Sequence, residues 1–554
     1  MVSEKNMFYE IAKQLNRIFQ DVDSYKSIFG IDKKQAEKEL NLYSQMKEKA
    51  VVGDKSASDY IIGQFARLLN TDVFNLKESS LNKIINFEDI LQNDVQIIFE
   101  MLLSMIDMSE IILKYDLCIK ITEKDIRQIA ASEIENINIK FNNRLAQLRL
   151  LATLSYAEEY GQGCIDTLQH QNINEIGIID KDYIYIVFQG CKIYLEFLKF
   201  KDTNVILNIQ KKTTQNSVIN YDEQNPTLIA SKINSSRITV AGFDSTPSSE
   251  ELYYNERIFN LKKITLEEMR DTYNTINSLI FDYLLLNQKG RGSHFITGAD
   301  MGVGKSTFLL AMMEKIPDYW GIGILDTQNE LQARKKYPQK NIKTLISNSK
   351  RSVSESFVTM LKMARDIIYV GEITTPFEVE ELINASLRLN AGVGATMHST
   401  SPFEVITNIR NLMMRTAMYN RSEIAEADAA RGLDIIIHLA KLPNGRIVVE
   451  NIVEVVCLNE SDNVDILFDG KNSEKIANIL NLVQIALKKY LNAQTYRYNE
   501  IFRYDTSSDD WSLLNLPTEQ YWYKIAKFVE RKEIDQFKEH FLDMKNKLHK
   551  MEVS

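Results

Sequence analysis

HFITGADMGVGKSTFLLAMMEKI, residues 294–316, reads as an apolar strand, a glycine-rich turn and an amphipathic helix. A strand that breaks into such a turn and restarts as a helix is the setting of a phosphate-binding loop. The small residues Gly298, Ala299, Gly302 and Gly304 let backbone N–H groups curl around phosphate oxygens, and the new helix offers the positive end of its dipole. The expected cradle runs through Gly298, Ala299, Asp300, Met301, Gly302, Val303, Gly304, Lys305, Ser306 and Thr307. Lys305 is expected to reach the β- and γ-phosphates, and Ser306 to give its hydroxyl to a magnesium ion, so ATP with Mg2+ is the expected ligand. Ala299, where a glycine is usual, opens the spacing that ends at Gly304 and Lys305.

Hydrolysis of such a ligand needs one carboxylate to orient or deprotonate water and another to hold the metal shell, both at the ends of neighbouring strands. GIGILDTQNEL places Asp326 at the end of an apolar strand with Glu330 just beyond it, and DIIYVGE places Glu372 after a second one, where a metal-holding acid belongs. His398 closes GVGATMH, another small-residue strand. A lone histidine of this kind is more often a hydrogen-bonded core residue than a working one.

Working outward, residues 293–456 alternate short apolar runs with helical patterns, which indicates a parallel sheet with crossover helices. The first 150 residues hold no proline and three glycines, Gly30, Gly53 and Gly63, and predict long uninterrupted helices. From about residue 172 the chain changes to β-branched and aromatic alternation, as in INEIGIIDKDYIYIVF and SRITVAGF. The polar, turn-rich STPSSEELYYNER, residues 245–257, suggests a linker. Beyond residue 470 the pattern reads as mostly helical, with Trp511, Tyr521 and Trp522 expected to bury against neighbours. The expected organisation is a helical region at 1–150, a small α/β lobe at 151–255, a linker and helix at 256–292, an α/β nucleotide-binding domain at 293–460 and a helical region at 461–554.

The 554 residues carry 66 Lys and Arg against 75 Asp and Glu, a net charge of -9, which argues against a surface built to neutralise phosphate backbones. No direct nucleic-acid binding is expected. Cys118, Cys164, Cys191 and Cys457 are scattered without metal-ligand spacing, which fits reduced thiols in the cytoplasm. The most apolar stretch, residues 95–108, carries Glu100 and Asp107, so any membrane contact is expected to be peripheral.

The order of these motifs resembles the bacterial secretion, or traffic, ATPases that drive type II and type IV secretion, conjugation and type IV or Tad-like pili, over about residues 170–460. In that family a phosphate loop is followed by an Asp box, a segment ending in Val-Gly-Glu and a His box, here LDTQNEL, IIYVGE and GVGATMH. The resemblance implies a RecA-like motor domain behind a small α/β lobe. It makes Glu330 the catalytic glutamate, Glu372 the metal-associated one, and His398 a sensor of phosphate. It also implies that Arg237 and Arg257 approach the nucleotide, that subunits assemble as a homo-hexamer, and that the ring works at the cytoplasmic face of the membrane with inner-membrane platform proteins. This sequence departs from the pattern at Asp326 and Thr327, where the Asp box usually opens with glutamate and continues with aspartate, and at Asn408, where an arginine is usual and Arg410 follows late. A DNA translocase and a non-hydrolysing ATP-binding scaffold stand as alternatives.

Overall fold

The computed structural model describes residues 4–553 apart from 75, 218, 235, 249, 260–262, 301, 328, 348–351, 389–391, 417, 459–471 and 492–494. The chain divides into two compact units, Met1–Asn260 and Leu261–Ser554.

In the first unit, residues up to Glu159 fold mainly as helices, the longest of them Lys33–Val51. Polar caps restart them: Asp21, Asp32, Asp54, Asp94, Asp107 and Asn143 each accept a hydrogen bond from a first-turn amide. Gly30 ends the helix Val22–Phe29 in the left-handed conformation, and Gly53, with φ +93°, follows Lys33–Val51. The expected helices are present, up to nineteen residues long, with interruptions where such residues fall. The helix Arg144–Glu159 runs straight across residue 150, so the boundary expected there is absent. One hydrophobic cluster unites this helical part with a seven-stranded sheet. Its strands are β1 (Lys120–Ile121), β2 (Glu175–Asp180), β3 (Tyr183–Phe188), β4 (Cys191–Leu195), β5 (Thr227–Ser231), β6 (Arg237–Ala241) and β7 (Tyr253–Arg257), in the order β1-β4-β3-β2-β7-β6-β5. β7 falls inside the segment expected to be a linker, because polar YYNER alternates burial and pairs with β2 and β6.

The second unit is built on a nine-stranded sheet. Its strands are β8 (His294–Gly298), β9 (Ile322–Leu325), β10 (Ile342–Leu345), β11 (Ile367–Ile373), β12 (Gly392–His398), β13 (Ile435–Lys441), β14 (Ile447–Cys457), β15 (Tyr496–Asp505) and β16 (Asp510–Leu513). They lie in the order β10-β9-β11-β12-β8-β13-β14-β15-β16. The first six are parallel and the last three run antiparallel to their neighbours. The unit is α/β, with a mainly parallel sheet covered on both faces. Alternate residues serve opposite faces: Ile296, Ile367, Tyr369, Ile435 and Ile437 join one cluster, while Phe295, Ile368, Val370 and Ile436 join the other. Trp511, Tyr521 and Trp522 are buried, and Tyr521 donates a hydrogen bond to Asn287 on the helix Ser278–Lys289. The region expected to be mostly helical also holds β15 and β16, because YRYNEIFRYD buries alternate residues against β14. Among the described residues no helix is long and apolar enough to cross a membrane.

A tight contact sets the spacing of the strands that carry the site. Gly394 on β12 has no room for a side chain: a Cβ there would lie 2.3 Å from Cε1 of Tyr369 and 3.0 Å from Nε2 of His294. Tyr369 is fully buried and donates to Gln288 at 3.0 Å, so the ring is held from its far end. Gly394→Ala is expected to lower the urea midpoint by the equivalent of about 1–3 kcal/mol, the usual cost of overpacking. Adding Tyr369→Leu should recover part of that loss, whereas additive losses would show that the two residues do not compete for the same space.

Candidate functional site

The site lies where the parallel strands end. β8 stops at Gly298, whose missing side chain makes way for Val303 and for the carbonyl of Leu439: an added Cβ would sit 2.7 Å and 2.9 Å from them. Ala299 and Asp300 are exposed, and Met301 lies outside the described residues. Gly302 and Gly304 take φ values of +76° and +86°, a region other residues enter at a cost, and nothing lies within 4 Å of a Cβ at Gly302. The helix Lys305–Glu314 therefore starts from a residue with no side chain to cap it, which leaves its first amides for an anion. Ser306 and Thr307, in that first turn, are half-buried.

Lys305 is buried, with its Nζ 3.2 Å from Nε2 and 3.4 Å from Nδ1 of His398. Nε2 of His398 is also 3.4 Å from Oε1 of Glu372. The Nε2 corner of the ring lies between the carboxylate and the ammonium group. Residues far apart in sequence thus converge because β11, β12 and β8 are adjacent, with His398 in register beside Gly298. The Thr396 hydroxyl donates to the carbonyl of Gly371 at 2.6 Å and ties β12 to the residue before Glu372.

The Asp box is organised around Asp326. Asp326 is buried, and its carboxylate accepts from the backbone N–H of Leu331 at 2.9 Å while its own N–H donates to Leu345. It folds the loop back on itself. Asn329 and Gln332 take positive φ along this turn, and Glu330 is half-buried between them. A Cβ at Gly371 would lie 3.2 Å from the Asp326 carboxylate, so the small residue before Glu372 lets this loop approach β11. Lys336, beyond the turn, has its ammonium nitrogen buried without a hydrogen-bond partner, and burial lowers its pKa to about 8.

Arg237 and Arg257 stand in the first unit, directly opposite each other on β6 and β7, with Arg257 over the ring of Phe259. Arg410 pairs with Glu426 at 3.4 Å, while Asn408 donates to Ser399 just after His398. Sequence reasoning missed His438 on β13. Its Nδ1 is 2.8 Å from the Thr297 hydroxyl, one residue before Gly298, and its Nε2 lies 3.6 Å from Glu450. Burial, with the charge of Lys305 added, lowers its pKa to about 4. Nothing in DIIIHLAK distinguishes it from a core histidine, and only the pairing of β8 with β13 brings it beneath the loop.

No family model matches the sequence. No curated protein matches it either. Among solved structures the chain is similar to the Legionella pneumophila ATPase DotB, at 14% identity over 58% of this chain and 86% of that one, with a TM-score of 0.39. It is similar to the VirB11 ATPase of the Brucella suis type IV secretion system, at 15% identity over 51% and 93%, TM-score 0.28. The pilus retraction motor PilT with bound ADP follows at 14% over 58% and 86%, TM-score 0.35. The similar structures are secretion and pilus ATPases. Likenesses this distant add nothing to the strand order and side-chain geometry.

His294, buried against Asn287, Gln288 and the carbonyl of Gly292, is likewise held at a pKa of about 4, mainly by burial. A histidine whose folded pKa lies below its unfolded value stabilises at neutral pH and loses that contribution as pH falls from about 6.5 toward 4. Each of the two should remove roughly 3 kcal/mol by pH 4. Urea titrations between pH 7 and pH 4 should show a steep loss that becomes shallower in His438→Asn, and an unchanged slope in that variant would contradict the assignment.

Proposed function

We propose that this chain is an ATP-hydrolysing motor subunit that works in a homo-oligomeric ring, of the kind that powers a bacterial secretion, conjugation or type IV pilus machine. The observation that supports it best is the meeting of Lys305, His398 and Glu372 where β8, β12 and β11 end, beside a glycine turn that opens an uncapped helix. In open α/β sheets this is where ligands bind.

Magnesium keeps most of its water and takes one or two protein oxygens together with phosphate oxygens. Ser306 and Glu372 offer a hydroxyl and a carboxylate of the right kind, and the bound ion would neutralise charge on the phosphates. When ATP enters, Lys305 exchanges the imidazole of His398 for β- and γ-phosphate oxygens, and His398 keeps its link to Glu372. Amides of the Gly298–Thr307 turn hold the remaining oxygens. Glu330 orients a water molecule, takes its proton, and directs the oxygen at the terminal phosphorus. The bond to the bridging oxygen then breaks, leaving ADP and phosphate. His398, freed from Lys305, is placed to report whether the terminal phosphate is present. Roles for Arg237 and Arg257 in stabilising charge, the homo-hexamer, the platform partners and a peripheral place at the cytoplasmic face of the membrane rest on the sequence resemblance alone.

Lys305→Ala should abolish measurable ATP binding. Glu330→Gln should bind ATP with little change yet release phosphate about 100-fold more slowly, the usual contribution of a positioned base. Hydrolysis by Glu330→Gln at the wild-type rate would remove Glu330 from this role, and a wild-type protein that binds ATP without releasing phosphate would favour the scaffold reading instead.

A further inference from the structure

β14 and β15 are adjacent antiparallel strands, with Cys457 paired to Tyr496 and the N–H of Leu458 bonded to the carbonyl of Thr495 at 3.0 Å. A two-residue turn could join them. The chain instead makes an excursion that contains a twenty-residue helix, Asn472–Leu491. At 1.5 Å per residue that helix is about 30 Å long. Ile476, Ile479, Leu480, Leu482, Val483 and Leu487 are all exposed on it, Leu480 at 63%. None of these six belongs to the hydrophobic clusters of either unit.

At 100° per residue, five of the six fall within an arc of about 100°, and Leu482 widens it to roughly 160°. The opposite side carries the amides Asn478, Asn481 and Gln484 together with Glu474, Lys488 and one apolar residue, Ile485. Lys475 lies near the start of the helix and Lys488 and Lys489 near its end, against a single acid, Glu474. The helix is therefore positive in a chain whose net charge is -9.

An exposed apolar face of this size marks a contact surface. A two-stranded coil of two such helices would use a narrower seam, two positions in seven, and would pair flanking lysines with acids that this helix lacks. A broad apolar arc with a mainly polar side behind it and lysines near both ends suits the boundary between anionic headgroups and acyl chains.

We infer that the helix Asn472–Leu491 lies on an anionic lipid surface, with Ile476, Ile479, Leu480, Val483 and Leu487 turned into it. This names the surface for the peripheral membrane contact of the preceding reading and rests on that reading, but requires no nucleotide.

The full chain, free of nucleotide, is floated with vesicles of phosphatidylglycerol and phosphatidylcholine, and with phosphatidylcholine alone. Partitioning onto the anionic vesicles should exceed that onto the neutral ones about ten-fold and weaken as salt is raised. Leu480→Asp with Val483→Asp should abolish it, as should replacement of residues 459–494 by Asn-Gly, and both variants should keep wild-type ATP binding. Equal partitioning by wild type and the aspartate variant would overturn the inference. So would a wild type that ignores lipid and sediments as a larger species that the aspartate variant splits, since that result assigns the face to a second copy. Loss of ATP hydrolysis with vesicle binding intact would fault the motor reading and leave this one standing.

Discussion

The close approach of β11, β12 and β8 is the constraint on which the second unit depends. These strands are buried on both faces, and Gly394 beside its cross-strand partner Tyr369 leaves no room for a side chain between them. Because the three strands run parallel, their carboxyl ends lie at one edge of the sheet. Lys305, Glu372 and His398 are brought together by that alignment, and Thr396 pins it with a side-chain bond to the carbonyl beside Glu372. The chemistry of the site is thus an outcome of strand order, and a change in packing below would be felt as a change in geometry above.

A second layer of support comes from polar residues held inside. Asp326 accepts from the Leu331 amide and so shapes the loop that carries Glu330. Thr297 and His438 are bonded beneath the loop where β8 ends. Burying neutral imidazoles keeps positive charge away from Lys305, whose own charge already disfavours protonation of His438. In the first unit the same economy appears as an ion pair with no exposed side-chain surface: Lys232 lies 2.7 Å from Glu256 and also donates to Gln169. Removing either charge there would leave the other stranded, so the pair holds β7 to the segment after β5 more strictly than an apolar contact would.

The glycine turn after β8 and the alternation of strands with helices were legible because they rest on local rules: glycine where φ must be positive, and apolar runs where strands are buried twice over. Other features were not. Scarcity of glycine and proline suggested unbroken helices, yet aspartate caps restart them at several points, and a cap differs from any surface aspartate only by the amide it meets. YYNER and YRYNEIFRYD look polar because their strands bury one face in part, and their membership of the sheets is fixed by partners far along the chain. The triad of Lys305, His398 and Glu372 could be assembled only from motifs in order. Its distances, and the presence of His438 below it, follow from tertiary pairing that no spacing in sequence encodes.

The closed stem between Leu458 and Thr495 separates two kinds of freedom. Register across β14 and β15 is settled at the base, so the length and composition of what lies beyond can drift with little effect on the sheet, since the entropy of closing a loop grows only slowly with its size. A chain built this way can be fitted to a new docking surface by rewriting its excursion alone, with the strands behind the glycine turn left as they are.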